Sequence, residues 1–386
     1  MKKTRRIFLL VFVLLTMLLA ATIPAAAEAE EPSADELYQE QLEASGAQEI
    51  WDKLPEETRR LLDNLGITGL DKDSLSGLTP QASLSGLLGL LADQAGGPLR
   101  SAGILLGIIL LCALMDGMKQ AVREPAISDV FQTICTLAAC AAALIPVSGC
   151  IRSVCEAAES TSVFMVSFVP VYAGVLLTGG QVAAAASYQS IVLFVAELFS
   201  WLATSIILPL MTISLALGMT GSVTSGMKLD AVAGFINKTA VWLLSISSTL
   251  FVGLLSLQSL VGAAADTLGG RAIKFSLSSF VPVVGGALSE AFNTVKGCLG
   301  LLKSTLGGFG ILATVLIVLP PMLECAAWSL CLSLCVMAAD MLELKTMSGL
   351  LTAVRSVTNT LIGLLASCSL FMIIATSIMT LAGRGG

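Results

Sequence analysis

Long stretches without a charged residue restrict the fold of this chain more than any other feature. A helix needs about 20 apolar residues to cross the hydrocarbon core of a bilayer, and the charge-free runs beyond residue 100 approach or exceed that length. Only 12% of the residues are charged and 55% are hydrophobic, whereas an ordinary soluble domain is about 25% charged. The sequence therefore predicts an all-α fold, a polytopic membrane helical bundle. The runs are 101–115, 130–151, 160–196, 198–227, 239–265, 275–289, 304–323, 325–339 and 356–383.

Two of these runs contain signals that interrupt a helix. Run 160–196 contains Gly179-Gly180-Gln181, and run 198–227 contains Pro209 and a Gly/Ser/Thr-rich stretch, 218–226, that reads as a turn. We therefore expect seven to nine membrane segments, some of them short or re-entrant. Irregular backbone in such segments must be buried in protein or line a wet cavity.

The missing residue types exclude most kinds of enzyme. The chain has no histidine, which removes Ser-His-Asp and Cys-His nucleophiles, histidine general bases and histidine metal ligands. It has no CxxC pair, Walker A loop, nucleotide fingerprint, HExxH or GxSxG motif. We expect no catalytic, cofactor-binding or metal-binding residues. The chain also lacks the clustered basic face of a nucleic-acid binder.

Charge is divided unevenly along the chain, and the division predicts three regions. Residues 1–27 carry a net charge of +4, residues 28–96 one of −11 and residues 97–386 one of +1. The first region has basic residues, an apolar run and an Ala-x-Ala site, which predict a signal peptide cleaved after Ala27. An uncleaved first anchor is the alternative. In both cases 28–96 is an acidic extracytoplasmic segment and 97–386 is the polytopic membrane domain.

The acidic segment contains two helix starts. Pro55, with Glu56 and Glu57 in the first turn and Gly66 at the end, predicts one helix. Thr79-Pro80 begins a second apolar stripe. Such stripes usually pack against a core, so we expect these helices to rest on the bilayer or on the membrane domain. A docking face for an extracytoplasmic partner is the alternative. The apolar face of the first helix is Leu54, Leu61, Leu62 and Leu65.

A pentapeptide that occurs twice suggests a larger internal repeat in the membrane domain. Ser-Phe-Val-Pro-Val occurs at 167–171 and again at 279–283, and a second apolar segment with proline follows each copy at the same distance. The candidate units lie around 130–226 and 239–342. Matching proline-broken segments are a sequence pointer to a central pathway in transporter-like folds. The prolines concerned are Pro170, Pro209, Pro282, Pro320 and Pro321.

Two carboxylates lie between long apolar runs. Glu197 separates 160–196 from 198–227, and Glu324 separates 304–323 from 325–339. A carboxylate at membrane depth costs several kcal/mol unless it is paired or hydrated, so such a residue is by default functional. The alternative places both residues at the membrane interface, where that cost largely vanishes. Glu197 and Glu324 are therefore candidate intramembrane polar residues of a pathway.

Several apolar stretches give the chain a resemblance to a known family. They are GGFGILATVLIVLPPMLE (307–324), SVTNTLIGLLASCSLFMIIATSIMTLAG (356–383), KLDAVAGFINKTAVWLL (228–244) and the repeated SFVPV. With the signal sequence and the short acidic region, the chain resembles the stage III sporulation protein AE family over most of 97–384.

The resemblance implies a non-enzymatic subunit of a multi-protein secretion or channel complex. Family members are multi-pass proteins of the mother-cell membrane that surrounds the forespore. Their expected partners are other stage III subunits, a cytoplasmic secretion-type ATPase, ring proteins of the intermembrane space and the lipid bilayer. The complex supports late gene expression in the forespore. Two alternatives stay open: a secondary transporter or permease with a proline-broken-helix pathway, and a purely structural membrane anchor.

Overall fold

A computed structural model describes residues 42, 45–67, 69, 80–118, 125–223, 229–280 and 285–382. This part of the chain is helical and contains no strand. The predicted signal peptide, 1–27, lies outside the described residues. The helices are α1 (Ala47–Asp52), α2 (Glu56–Asn64), α3 (Pro80–Met118), α4 (Pro125–Thr178), α5 (Val182–Leu202), a π-helical turn (Ala203–Ile207), α6 (Leu208–Val223), α7 (Leu229–Phe280), α8 (Gly285–Met341) and α9 (Lys345–Ala382).

The long helices form one bundle with two apolar cores stacked end to end. Helices α8 and α9 form the most extensive pair, and α4 packs against α3, α5, α8 and α9. The first core contains α3, the first part of α4, α6, the second part of α8 and the first part of α9. The second core contains the second part of α4, α5, the first part of α8 and the end of α9. Each of α4, α8 and α9 therefore contributes to both cores.

The two short helices pack on the second core and form what we call the cap, residues 45–67. Helix α2 begins at Glu56, directly after Pro55, and Gly66 adopts a left-handed conformation with a φ of 79°, so the predicted helix is confirmed. Leu54 and Leu62 are buried in the second core, with Leu61 and Leu65 packed at its edge. The expectation that this helix rests on the membrane domain is confirmed.

Six described helical segments are long and apolar enough to cross a membrane. Seven to nine were expected, and the difference arises because separate charge-free runs share one helix. Runs 130–151 and 160–178 are both on α4, and runs 304–323 and 325–339 are both on α8. The predicted break at Gly179-Gly180-Gln181 is confirmed. The segments are Gly96–Gly117, Val130–Thr178, Val182–Ser222, Ala231–Leu257, Gly297–Met341 and Lys345–Ile378.

Several predicted boundaries fall inside continuous helix. Helix α3 starts at Pro80, as expected, but then runs through the predicted boundary between 96 and 97. The predicted turn at 218–226 is helical as far as Val223, and 224–228 lie outside the described residues. A membrane helix tolerates glycine and hydroxyl residues because its backbone has no water with which to form competing hydrogen bonds.

Candidate functional site: the junction between the two cores

Polar side chains of three helices meet where the two cores join. The Glu324 carboxylate of α8 lies beside the Ser153 hydroxyl of α4. The thiols of Cys150 and Cys325 contact each other across the same two helices, and Thr161 of α4 contacts Cys368 of α9. We call this layer the junction and define it by Cys150, Ser153, Thr161, Glu324, Cys325 and Cys368.

Charged side chains of α4 and α5 lie on the outside of the bundle near the junction. Arg152, Glu156 and Glu159 are exposed on α4, and Glu197 is exposed on α5. Glu156 and Glu159 line an open cleft of about 340 Å³ whose opposite wall is Lys53, Leu54 and Pro55 of the cap. Several charges that separate apolar runs in the sequence therefore lie near the junction and leave their helices unbroken: Arg152, Glu156, Glu159, Glu197 and Glu324.

A water-sized cavity lies inside the junction. Its volume is about 10 Å³, which is close to the minimum for one buried water. Thr161, Ser162, Ser200 and Cys368 supply its polar lining, and Phe371 supplies part of the apolar lining. The cavity has no space for an organic substrate. Within the described residues, no group of three or more Cys, Asp or Glu side chains could hold a metal ion.

The two predicted carboxylates occupy different environments. Glu324 is partly buried and points to α4, whereas Glu197 is exposed on the outside of α5. Ala196 and Ser200, on either side of Glu197, line the junction cavity together with Thr161. The sequence therefore identified two residues at the same level of the bundle, of which only Glu324 contributes to the contacts between helices there.

The four predicted prolines that lie within the described residues do not break helices. Pro170 is an exposed residue inside α4, and Pro320 and Pro321 are buried inside α8. Pro209 follows the π-helical turn and continues into α6. Pro282 lies outside the described residues. The first SFVPV copy is thus inside a helix, whereas the described part of the second copy, Ser279-Phe280, ends α7.

Buried polar contacts between helices were not predicted from the sequence. Asn237 of α7 donates to Ser356 of α9 and accepts from Thr360 of α9. Tyr172 of α4 bonds Thr380 of α9, with 3.1 Å between the hydroxyl oxygens. The only sequence signal is polar side chains within apolar runs, which does not identify their partners.

We predict that Asn237→Leu weakens the contact between α7 and α9. Leucine has a similar volume but removes both interhelical hydrogen bonds, each worth about 0.6 kcal/mol on average and about 1.7 at most in a membrane protein. The thermal unfolding midpoint of the detergent-solubilised chain should therefore fall by a few degrees.

Asn359→Leu is the control for this change. Asn359 is exposed on α9 and accepts one hydrogen bond, 2.6 Å long, from Ser329 of α8. Its loss should leave the midpoint nearly unchanged because only one exposed bond is lost and detergent accommodates the leucine side chain. Equal losses in the two variants would show that the Asn237 contacts contribute no special stability.

The six apolar segments and the two stacked cores define a polytopic membrane protein built as a helical bundle. A family model described as stage III sporulation protein AE matches residues 71–383. The chain belongs to that family, as its sequence suggested.

A curated relative supports the same assignment. The stage III sporulation protein AE of Bacillus subtilis (strain 168) is 25% identical to the chain over 246 residues, which cover 64% of this chain and 62% of the relative. The chain thus spans less than two thirds of that relative's length. No solved structure matches it significantly. Family membership makes the chain a membrane component of sporulation.

Proposed function

We propose that the chain is a non-enzymatic integral membrane subunit of a sporulation-specific secretion or channel complex. This complex would link mother cell and forespore and support late gene expression in the forespore. The proposal rests on one observation: buried polar side chains form hydrogen bonds with other helices of the bundle. Asn237, Thr360 and Tyr172 bond other helices, and the junction cavity holds about one water. The polar chemistry therefore fixes the packing of helices, as a platform requires.

The location and partners follow from the same role. The chain would lie in the mother-cell membrane around the forespore, with 28–96 on the extracytoplasmic side. The cap has an exposed charged face that includes Glu56, Glu57 and Asp63. That face is suited to ring proteins of the intermembrane space, and the cytoplasmic loops would meet the other membrane subunits and the secretion-type ATPase.

A secondary transporter is the second candidate, and Glu324 is the observation that favours it. This carboxylate is partly buried at the centre of an apolar segment and lies beside Ser153. Carboxylates in such positions carry protons or ions in many transporters. A transporter would need the negative charge, whereas a platform would need only the polar contact between the helices.

Glu324→Gln and Glu197→Gln separate these two functions. We expect both variants to restore late forespore gene expression in a spore former that lacks its own family member, measured with a fluorescent forespore reporter. Glutamine keeps the length and the polarity of the side chain, but it cannot carry a proton. Loss of the reporter signal with normal membrane levels of Glu324→Gln would favour the transporter.

A variant of the cap surface tests the role in the complex. Glu57→Lys combined with Asp63→Lys reverses two exposed charges and leaves the buried face of α2 intact. We expect the chain to fold and reach the membrane but to recruit less of its extracytoplasmic partners in a pull-down from sporulating cells. Unchanged recruitment and full reporter signal would reject the cap as a docking face.

A further inference from the structure

The cap presents charged side chains to its surroundings beside the second core. Trp51 stacks on Phe309 of α8, with 5.9 Å between ring centroids, and Ile50, Leu62 and Ile67 are buried in the second core. The outer face of the cap is polar: Asp52, Lys53, Glu56, Glu57, Arg60, Asp63 and Asn64 are exposed. The cap therefore attaches to the bundle by an apolar face and turns a charged one outward.

Contacts between helices give the height of the cap along the bundle. Phe309 is two residues from Gly307, and a Cβ built on Gly307 would lie 2.6 Å from the Thr380 hydroxyl of α9. Helix α8 runs antiparallel to α9, to which a short turn joins it. Trp51 is therefore at about the height of residue 378 of α9.

Helix α7 passes the same height on another side of the bundle. Asn237 contacts Thr360 and, further along both helices, Phe251 contacts Phe371 with ring centroids 3.7 Å apart. Helices α7 and α9 thus run side by side in the same direction. Leu257, six residues beyond Phe251, is within about one helical turn, ~5 Å, of the height of Trp51.

The outer face of α7 is apolar at this height. Leu257 is 66% exposed and Leu250 is 64% exposed. In the most apolar stretch of Ala231–Leu257, only 22% is buried inside the bundle. Run 239–265 has no charged residue. Soluble surfaces rarely expose a continuous apolar patch of more than a few hundred Å². We therefore expect this side of the bundle to contact lipid. Its exposed large side chains are Leu250, Val252, Leu254 and Leu257.

The cap cannot share that environment. Each charged side chain placed in the hydrocarbon core costs about 2.5–3.5 kcal/mol even on the most permissive scale, and the cap exposes six of them. Exposed Glu156 and Glu159 of α4 adjoin the cap across the open cleft. The two sides of the bundle therefore require different solvents at one height.

We propose that the side formed by the cap and α4 borders water while the side formed by α7 borders lipid acyl chains at the same depth of the bilayer. The chain then contributes one wall of a water-filled vestibule or lumen that is closed by further subunits. This inference rests on the proposed function as a subunit of a channel complex and identifies the wall that faces the aqueous path.

Tryptophan fluorescence tests the proposal on the full chain in vesicles. One variant keeps Trp51 alone, with Trp201, Trp242 and Trp328 changed to Phe. The matched variant replaces all four tryptophans by Phe and carries Leu257→Trp. Lipids with brominated acyl chains should quench the Leu257→Trp reporter several-fold more than Trp51, and aqueous iodide should show the opposite preference.

Two outcomes would overturn the proposal. Strong iodide quenching of both reporters would mean that the second core stands in water outside the bilayer. Strong lipid quenching of both would mean that the cap does not border water. Complementation of the sporulation defect is a separate measurement from quenching. A failure of complementation would reject the proposed function without changing the assignment of the water-facing and lipid-facing sides. A failure of the quenching test would reject that assignment without changing the proposed function.

A second pair of variants tests the proposal without replacing the buried Trp328, so that misfolding of the tryptophan variants does not decide the result. Glu159→Cys and Leu254→Cys are exposed single changes in the otherwise unaltered chain. A charged, membrane-impermeant methanethiosulfonate should label Glu159→Cys several-fold faster than Leu254→Cys, with the labelled position assigned by peptide mass spectrometry because Cys155 lies nearby. Equal labelling rates would contradict the proposal.

Discussion

Replacing Gly310 by alanine should destabilise the bundle severely. A Cβ built on Gly310 would collide with three ring atoms of Phe168 on α4. Phe168 is fully buried and stacks between Phe164 and Tyr172, with ring centroids 5.4 and 5.6 Å away. Because the ring has no free space to enter, α4 and α8 must move apart. Overpacking of this kind costs about 1–3 kcal/mol and occasionally more.

Gly308→Ala is a matched control two residues away on the same helix. A Cβ built on Gly308 has no other atom within 4 Å beyond its own helix. Alanine is favoured over glycine in a helix by about 0.8–1 kcal/mol, so Gly308→Ala should keep or raise the thermal midpoint while Gly310→Ala lowers it. The midpoint is read by size-exclusion chromatography of heated, detergent-solubilised protein. Similar midpoints for both variants would show that α4 and α8 can separate at no cost.

Leu62→Asp should release the cap from the bundle. Leu62 is fully buried in the second core, and the described contacts between cap and bundle are apolar packing. An isolated buried carboxylate costs several kcal/mol. The cap would therefore detach before the charge was buried. Trypsin should then cut at Lys53, Arg59 and Arg60 much faster than in the unaltered chain.

The control for this change is Asn64→Asp. Asn64 is exposed on the same helix, so the substitution adds the same charge without burying it. Its tryptic pattern should match that of the unaltered chain. If Leu62→Asp also remains resistant to trypsin, the cap is held by more than its apolar face.

The sequence predicted which part of the chain forms membrane helices better than it predicted where those helices end. Charge-free runs identified the membrane domain because the cost of charge in lipid is large and local. They did not identify helix ends, since Arg152, Glu156 and Glu159 interrupt a run while remaining on one face of a continuous α4. A charge ends an apolar surface, but backbone hydrogen bonds continue past it.

Proline and glycine signals succeeded only where they coincide with a change of chain direction. Gly180 has a φ of 77° and joins α4 to α5, a conformation that glycine adopts without strain. Pro170 and Pro320 remain inside helices because neighbouring helices hold the backbone on both sides of the missing hydrogen bond.

The functional layer could be predicted only in part. Glu197 and Glu324 were identified because a carboxylate in an apolar run is conspicuous. Contacts such as Ser153 with Glu324, or Trp51 with Phe309, join residues that are far apart in the sequence. No local pattern carries that information. The position of the cap, on which the wall assignment depends, therefore required the tertiary structure.

The π-helical turn at Ala203–Ile207 restricts insertions and deletions of residues in this part of the chain. It joins α5, whose buried face enters the second core, to α6, whose buried face enters the first. A π turn holds one residue more than the α-helix around it, and that residue rotates everything beyond it by about 100°. Deleting one residue there would restore regular helix yet turn Met211 and Leu215 out of the first core. Evolution can therefore exchange side chains along this segment, but an insertion or deletion must come with a compensating one nearby.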